Sequence, residues 1–327
     1  MSEEVAAKQF ERSITIPKPE TQKVEFYWLT LSIEKEADEE KAKGRALMRQ
    51  LREILHNKAE EKLLVKNILE ISTISNERIG RNLSSIYLKV DLSKILNEQQ
   101  LQRLNKELQR LQIEDEKEAK KVTNLPVEIV FQCSKVFSSN FSQQLEVSSN
   151  SSQQIPMFDL RSGNWSNKLG EIGNWSSWLA EILKQIREQK RVSPFKFRKL
   201  IKSKVRGQPM SKAKRGKDEP KEVVKLTEFN LFGDIWPLEP KTAFYDWLYI
   251  NALLQNRGLA DELLKYDAFT DIYFTRNRFN CQAYSAAFFV LLKKTGKISN
   301  ADRISREEFE KIIESFGGEY YVYKGIR

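Results

Sequence analysis

The stretch KLTEFNLFGDIWPLEPKTAFYDWLYINALL, residues 225–254, contains the clearest fold signal in the chain. Its first nine residues, KLTEFNLFG, are typical of a strand that ends at a glycine turn. A strongly apolar helix is predicted to follow from residue 242 to residue 254. The part of the chain before this stretch is richer in strands and the part after it is helical, so neither part is complete alone and the two are expected to pack as one domain.

The pattern extends in both directions from this stretch. Downstream, helices are predicted up to residue 266, over 280–293 and over 306–316. Upstream, KVEFYWLTL at 23–31 predicts a strand, 34–64 a charged helix, and 68–75 a short apolar segment. Alternating apolar residues predict a half-buried strand over 84–92, and Asn97 is expected to cap a helix whose leucines are spaced three and four residues apart.

The segments between these elements divide the chain into a core and insertions. We expect a tail at 1–22 and then a single domain over 23–327. Three insertions are expected in it: a charged helix at 93–122, a Ser/Asn/Gln-rich segment at 138–156 and a basic linker at 187–222.

Composition excludes several classes of protein. No stretch approaches the roughly 18 apolar residues that span a bilayer, and the start of the chain, MSEEVAAKQFERS, lacks a secretory signal. With two cysteines and one histidine in 327 residues, neither a disulfide framework nor a metal site is expected. We therefore expect a cytoplasmic protein without cofactor or metal, in which His56 is an ordinary surface histidine.

The net charge of +10 comes from one segment. Residues 187–221 contain 14 Lys or Arg against 3 Asp or Glu, and the rest of the chain is close to neutral. Such a segment attracts phosphate backbones, which makes nucleic acid a candidate partner. A solvated linker without a partner explains the charge equally well. The candidate nucleic-acid contacts are Lys196, Arg198, Lys199, Lys202, Lys204 and Arg206.

Residues 127–137, VEIVFQCSKVF, contain the best candidate for chemistry. Asn124 and Pro126 predict the start of a helix, on which Glu128, Gln132 and Lys135 share one face. Glu128 falls in the first turn, where the helix dipole favours an ionised carboxylate. Such a group can activate a water or stabilise a cationic sugar. A solvated face with a Glu–Lys pair is the alternative interpretation.

Several blocks resemble the NADAR superfamily (the YbiA-like proteins), and in particular its branch of antitoxins associated with DarT-type toxins. They are Glu128-x-x-Phe131-Gln132-x-x-Lys135, the segment 232–248, the segment 266–272, and Asn280-Cys281-Gln282-Ala283. The resemblance implies a mainly helical α+β fold around a small sheet. It also implies an ADP-ribosylglycohydrolase that removes ADP-ribose from guanine in DNA, single-stranded DNA being the expected form. It also implies functional pairing with an ADP-ribosyltransferase toxin.

The same resemblance suggests roles for individual residues. Glu128 matches the catalytic carboxylate, Asp271 an acidic position of the pocket, and Trp236 a position that stacks on the ligand. Further matches to motif positions, taken as substrate-binding candidates, are Gln132, Lys135, Lys241, Tyr245 and Ser84. The alternative for Trp236 is a core tryptophan, and the alternative for Asp271 is a helix or turn cap. Asp246 is expected to be a buried or edge hydrogen-bonding residue.

Besides removal of ADP-ribose from a small molecule or a protein instead of DNA, which would give the basic segment no role, two further functions fit the sequence. One is a non-catalytic module that binds ADP-ribose or nucleic acid. The other is an antitoxin that neutralises its toxin by direct contact, through the helix that contains Leu101, Leu104, Leu108 and Leu111. The same helix packs on its own domain in the alternative interpretation.

Overall fold

The computed structural model describes residues 8–33, 43–139, 175–188, 192–194, 199, 224–240, 242–271, 282–299 and 301–316. Its strands are β1 (Lys8–Lys18), β2 (Lys23–Ile33), β3 (Ile68–Glu70), β4 (Lys89–Asp91), β5 (Asn124–Pro126), β6 (Lys135–Ser139), β7 (Val224–Leu231), β8 (Asp234–Trp236) and β9 (Ala268–Thr270). Its helices are α1 (Lys43–Leu63), α2 (Arg78–Asn82), α3 (Leu92–Ile95), α4 (Glu98–Arg110), α5 (Glu116–Thr123), α6 (Val127–Cys133), α7 (Trp175–Arg187), α8 (Ala243–Gln255), α9 (Arg257–Leu263), α10 (Gln282–Lys294) and α11 (Arg306–Ser315). The fold is mixed α+β with small sheets, as predicted.

The chain divides into two compact units. Unit 1 consists of residues 1–90 and 240–327, and unit 2 of residues 91–239. The continuous domain over 23–327 stays a prediction. The segment 140–156 and most of 187–222 lie outside the described residues, so the expected insertions there are not described either. Among the described helices, none is long and apolar enough to cross a membrane.

A four-stranded sheet in the order β2-β1-β9-β3 forms the centre of unit 1. β1 and β2 are a long antiparallel hairpin in which Lys8 pairs with Ile33 and Lys18 with Lys23. β3 runs parallel to β9. Residues 8–18, which the sequence assigns to a tail, are thus a strand of this sheet. A strand was not predicted here because the apolar residues alternate over only a short run, next to the acidic start of the chain.

Helices cover this sheet because their apolar residues recur at helical spacing. On α1, Leu51, Leu55 and Ala59 lie four residues apart and are buried against the sheet residues Ile14 and Leu31. α8 and α10 are buried around nearly their whole circumference, which identifies them as the central helices of unit 1. All four helices predicted for the last third of the chain are present.

The strand predicted over 84–92 is wrong for most of its length. Residues 83–87 continue the C-terminal end of α2 as turns, in which the carbonyl of Ser84 accepts the N–H groups of Tyr87 and Leu88 at 2.8 Å each. Strand structure begins at Lys89. The apolar alternation reflects burial of these side chains in a turn, since period-two burial does not require extended backbone.

Unit 2 contains the antiparallel sheet β6-β7-β8, and helices α4 and α7 pack in the same unit. Asn97 caps α4 as predicted, in a reciprocal capping box with Gln100. The Gln100 amide also donates to the Leu231 carbonyl at 3.1 Å, and Arg103 donates to the Phe232 carbonyl at 2.7 Å. Helix α4 therefore packs on its own unit, in agreement with the alternative to a partner-binding coiled coil.

Candidate functional site

Helix α6 places Glu128 at its second residue. Pro126 occupies the N-cap position and has no side chain that can cap the helix, so the expected cap by Asn124 is wrong; Asn124 lies in strand β5. An acidic side chain in the first turn therefore compensates N–H groups that no side chain caps. The helix itself is short because β6 begins at Lys135, two residues after its end.

The Glu128 carboxylate is held by its neighbour on the same face. Gln132 Nε2 donates to Glu128 Oε1 at 2.9 Å, with Glu128 half-buried and Gln132 only 5% exposed. The prediction that these two side chains share one face of a helix is confirmed. The prediction that Lys135 shares this helix face is wrong, because Lys135 is the first residue of strand β6. Its ammonium lies 4.7 Å from the centre of the Phe131 ring.

Trp236 lies in the core of unit 2. Its residue is 2% exposed, it pairs with Phe229 of the neighbouring strand, and its indole N–H donates to Asp234 Oδ2 at 3.1 Å. Stacking of this indole on a ligand stays a prediction, and it requires local opening because both ring faces are covered in this structure.

Asp271 belongs to unit 1 and follows directly after β9. Its Oδ2 accepts a hydrogen bond from Gln282 Nε2 at 3.2 Å. Burial lowers the pKa of the nearby Arg12 guanidinium, and the negative charge of Asp271 raises it in part. Asp271 is thus a half-buried carboxylate next to a cation and an amide donor. This environment orients the carboxylate as a hydrogen-bond acceptor.

The other candidates in unit 1 are buried. Ser84 is 1% exposed and Tyr245 is 3% exposed; the Tyr245 ring stacks on Tyr249 at 6.2 Å between centroids. Asp246 is 1% exposed and accepts hydrogen bonds from Thr242, at 2.8 Å, and from Ser285. The expectation of a buried hydrogen-bonding role for Asp246 is therefore confirmed.

Several predicted contacts lie outside the described residues. They are Lys241, Lys196, Arg198, Lys202, Lys204 and Arg206. Lys199 is described and is exposed.

The structure also reveals polar residues that sequence reasoning missed. Glu70 is 5% exposed at the end of an apolar strand and pairs with Arg52 and Ser72. Next to this pair lies a cleft of about 330 Å³ that includes His56 in its lining. A single acid within the apolar run 68–71 was the available signal. Among the described residues, no group of three His, Cys, Asp or Glu side chains is placed to hold a metal ion.

Comparison with known proteins gives one family. Residues 197–319 match the family described as DarT1-associated NADAR antitoxin, whereas no curated protein matches the chain. The match includes strands β7 and β8, Asp271 and helix α10, and it ends after α11. Residues 197–319 are therefore similar to the DarT-associated branch of the NADAR family.

Proposed function

We propose that this protein is an antitoxin that removes ADP-ribose from guanine bases in DNA by hydrolysis of the N-glycosidic bond, and thereby reverses a DarT-type toxin. The family match over 197–319 supports the antitoxin role. The observation that supports hydrolysis is the Glu128 carboxylate, which lies in a first helical turn and is oriented by the Gln132 amide at 2.9 Å. We further propose that the reaction takes place in the cytoplasm.

The reaction breaks the bond between ribose C1′ and the guanine nitrogen. The electron pair of that bond goes to the base, and positive charge develops on the sugar, as in glycoside hydrolysis. A water oxygen then bonds to C1′. Glu128 takes a proton from that water and later releases it to solvent, and the guanine nitrogen takes up one proton from solvent, so that one water is added across the broken bond. The products are free ADP-ribose and unmodified guanine, so no oxidant, metal or cofactor is required.

The Glu128–Gln132 hydrogen bond suits this role. It fixes the orientation of the carboxylate, because an amide N–H of Gln132 donates to one of its oxygens. General base catalysis contributes roughly 10²–10⁴-fold to such a reaction. Ligand contacts are proposed for Lys135 and Trp236 of unit 2. In unit 1 they are proposed for Ser84, Lys241 and Tyr245, with Asp271 as an acidic contact.

The non-catalytic alternatives predict different behaviour. A binding module would retain ADP-ribose without releasing it from DNA. An antitoxin that acts by contact would need an accessible partner surface. The surface suggested for that contact is helix α4, and α4 already packs on its own unit through Gln100, Arg103 and the buried Leu104. We therefore favour the enzyme.

The decisive experiment compares Glu128→Gln with a matched control. Helix α7 contains a pair of the same kind, in which Gln185 Nε2 donates to Glu181 Oε1 at 3.0 Å, again with a half-buried Glu and a buried Gln. Glu181 lies in the middle of its helix instead of the first turn. Both substitutions keep the shape of the side chain and an oxygen that accepts the glutamine amide.

The measurement is release of free ADP-ribose from an oligonucleotide that contains ADP-ribosylated guanine. Glu128→Gln is expected to lower kcat by about 10²–10⁴-fold, and Glu181→Gln is expected to leave kcat unchanged. Equal activity of wild type and Glu128→Gln would remove Glu128 from the mechanism. Binding of ADP-ribose without any release by the wild type would favour the non-catalytic module.

A further inference from the structure

One glutamine joins three separate segments of unit 1. Gln282 is the first residue of α10, and its side-chain amide makes three hydrogen bonds. The oxygen Oε1 accepts from the backbone N–H of Ser85 at 3.0 Å. The nitrogen Nε2 donates to the Ile71 carbonyl at 2.8 Å and to Asp271 Oδ2 at 3.2 Å. The end of β3, the turn after α2 and the residue after β9 therefore meet at this amide.

The first two bonds determine which way the amide points. A glutamine has one accepting oxygen and one NH₂ group with two donors. The N–H of Ser85 can only donate, so it requires the oxygen, and the Ile71 carbonyl can only accept, so it requires one hydrogen of the NH₂ group. The second hydrogen is then directed to Asp271. Because both fixed partners are backbone groups, the donor that reaches Asp271 cannot flip away without breaking them.

The groups next to Asp271 indicate what kind of ligand group its carboxylate can bind. Arg12 lies close enough for its positive charge to interact with this carboxylate, and Gln282 contributes an amide donor. A carboxylate beside a cation and an amide donor accepts hydrogen bonds. It therefore recognises hydroxyl or N–H donors of a nucleotide ligand.

We infer that Gln282 is a positioning residue that acts through Asp271, holding its carboxylate in the orientation that accepts a hydrogen bond from the bound ADP-ribose. This inference rests on the proposed function. It adds a residue that acts on the ligand only through another side chain. Ser85 and Ile71 are distant from Gln282 in sequence, and Asp271 is 11 positions away. Small errors in the position of a group that orients a substrate can lower the rate by about 10²-fold.

The experiment is a double-mutant cycle of Gln282→Ala, Asp271→Asn and the double variant, with kcat and KM measured for release of ADP-ribose from the modified oligonucleotide. Each single substitution is expected to lower kcat/KM by about 10–100-fold. The double variant is expected to be no worse than Asp271→Asn, because Gln282 acts only through that carboxylate. Losses that multiply in the double variant would overturn the inference.

Two further variants separate positioning from loss of stability. Asn256 is also half-buried, and its amide donates to the carbonyls of Lys89 and Ala252 in the same unit. Asn256→Ala is expected to lower the melting temperature about as much as Gln282→Ala, with unchanged kcat/KM. Gln282→Glu keeps an acceptor for Ser85 but replaces the donor to Asp271 by a like charge, so it is expected to lose at least as much activity as Gln282→Ala. Full activity of Gln282→Glu would contradict a role through Asp271.

The affinity for free ADP-ribose, measured by calorimetry across the same cycle, distinguishes failure of this inference from failure of the proposed function. If the wild type releases no ADP-ribose, hydrolysis is refuted, and non-additive losses of affinity still support the role of Gln282. If the wild type is active and Gln282→Ala matches it in both readouts, the inference fails alone. If the wild type neither binds nor releases ADP-ribose, both fail.

Discussion

Two glycines of unit 1 lie in helices but in opposite surroundings, and the same substitution should affect them with opposite sign. A Cβ atom at Gly80 in α2 would lie 2.0 Å from the Glu70 carbonyl oxygen and 2.5 Å from Ser75 Oγ. A Cβ atom at Gly258 in α9 would meet nothing within 4 Å. Neither position has the positive φ that would by itself require glycine.

The magnitudes follow from these distances. At Gly80 the atom that must move is backbone, so α2 has to shift away from β3 by about 1 Å. Overpacking of this kind costs about 3 kcal/mol, and the better helix propensity of alanine returns about 1 kcal/mol. We expect Gly80→Ala to destabilise unit 1 by about 2 kcal/mol. At Gly258 only the propensity gain applies, so Gly258→Ala should stabilise α9 by about 0.5–1 kcal/mol.

Hydrogen exchange reports the local free energy of unfolding and suits a chain of two units. Peptides from residues 68–90 should exchange faster in Gly80→Ala, and peptides from α9 should exchange more slowly in Gly258→Ala. The turn that presents the Ser85 N–H to Gln282 follows α2 directly, so Gly80→Ala should also reduce release of ADP-ribose. Equal protection of residues 68–90 in wild type and Gly80→Ala would refute the close approach of α2 to β3.

Two more predictions concern charge. Hydrogen bonds from the backbone and side chain of Ser305 lower the pKa of Glu308, so the ionised carboxylate contributes stability above pH 4.5 that is lost as the pH falls through the lowered value. Glu308→Gln keeps the capping box, and its stability should converge on that of the wild type as the pH falls from 4.5 through the lowered pKa of Glu308, as followed by thermal unfolding; an unchanged difference would contradict this role. In the basic segment, neutralisation of six side chains should weaken binding to single-stranded DNA and reduce the slope of log K against log salt by up to about 4, whereas neutralisation of the exposed Lys62 and Lys66 should not; equal slopes would leave the segment as a linker. The six are Lys196, Arg198, Lys199, Lys202, Lys204 and Arg206.

Local patterns in the sequence were sufficient for the elements that are stabilised locally. The N-cap at Asn97 needs only Gln100 three residues later. Strand β7 and the apolar helices α8 and α10 can be predicted from the composition of eight to thirteen consecutive residues. Helix α6 was also predicted, together with the Glu128–Gln132 pair, because i and i+4 are neighbours on any helix.

Features that depend on distant residues were not predictable in the same way. Strand β1 is stabilised by pairing with β2 and with β9. In β9 its partner is Phe269, which lies 254 positions after Thr15. The Gln282 amide joins groups 211, 197 and 11 positions away, and no local pattern distinguishes it from a solvated glutamine. Thr242 adopts a φ of 68° before α8, a conformation that a β-branched residue rarely adopts and that its sequence neighbours do not indicate.

The two Glu–Gln pairs of unit 2 show why a candidate catalytic carboxylate cannot be identified from side-chain spacing alone. Glu128 with Gln132 and Glu181 with Gln185 have the same spacing, hydrogen-bond lengths within 0.1 Å of each other, and the same burial classes. What differs is the backbone around them. Glu128 follows a proline that leaves the first turn without a side-chain cap, whereas Glu181 is surrounded by a complete helix. If catalysis depends on the ionised state that a first turn favours, only the Glu128 substitution will affect turnover; if both substitutions affect it equally, the cause is the packing of unit 2 and not the chemistry of one carboxylate.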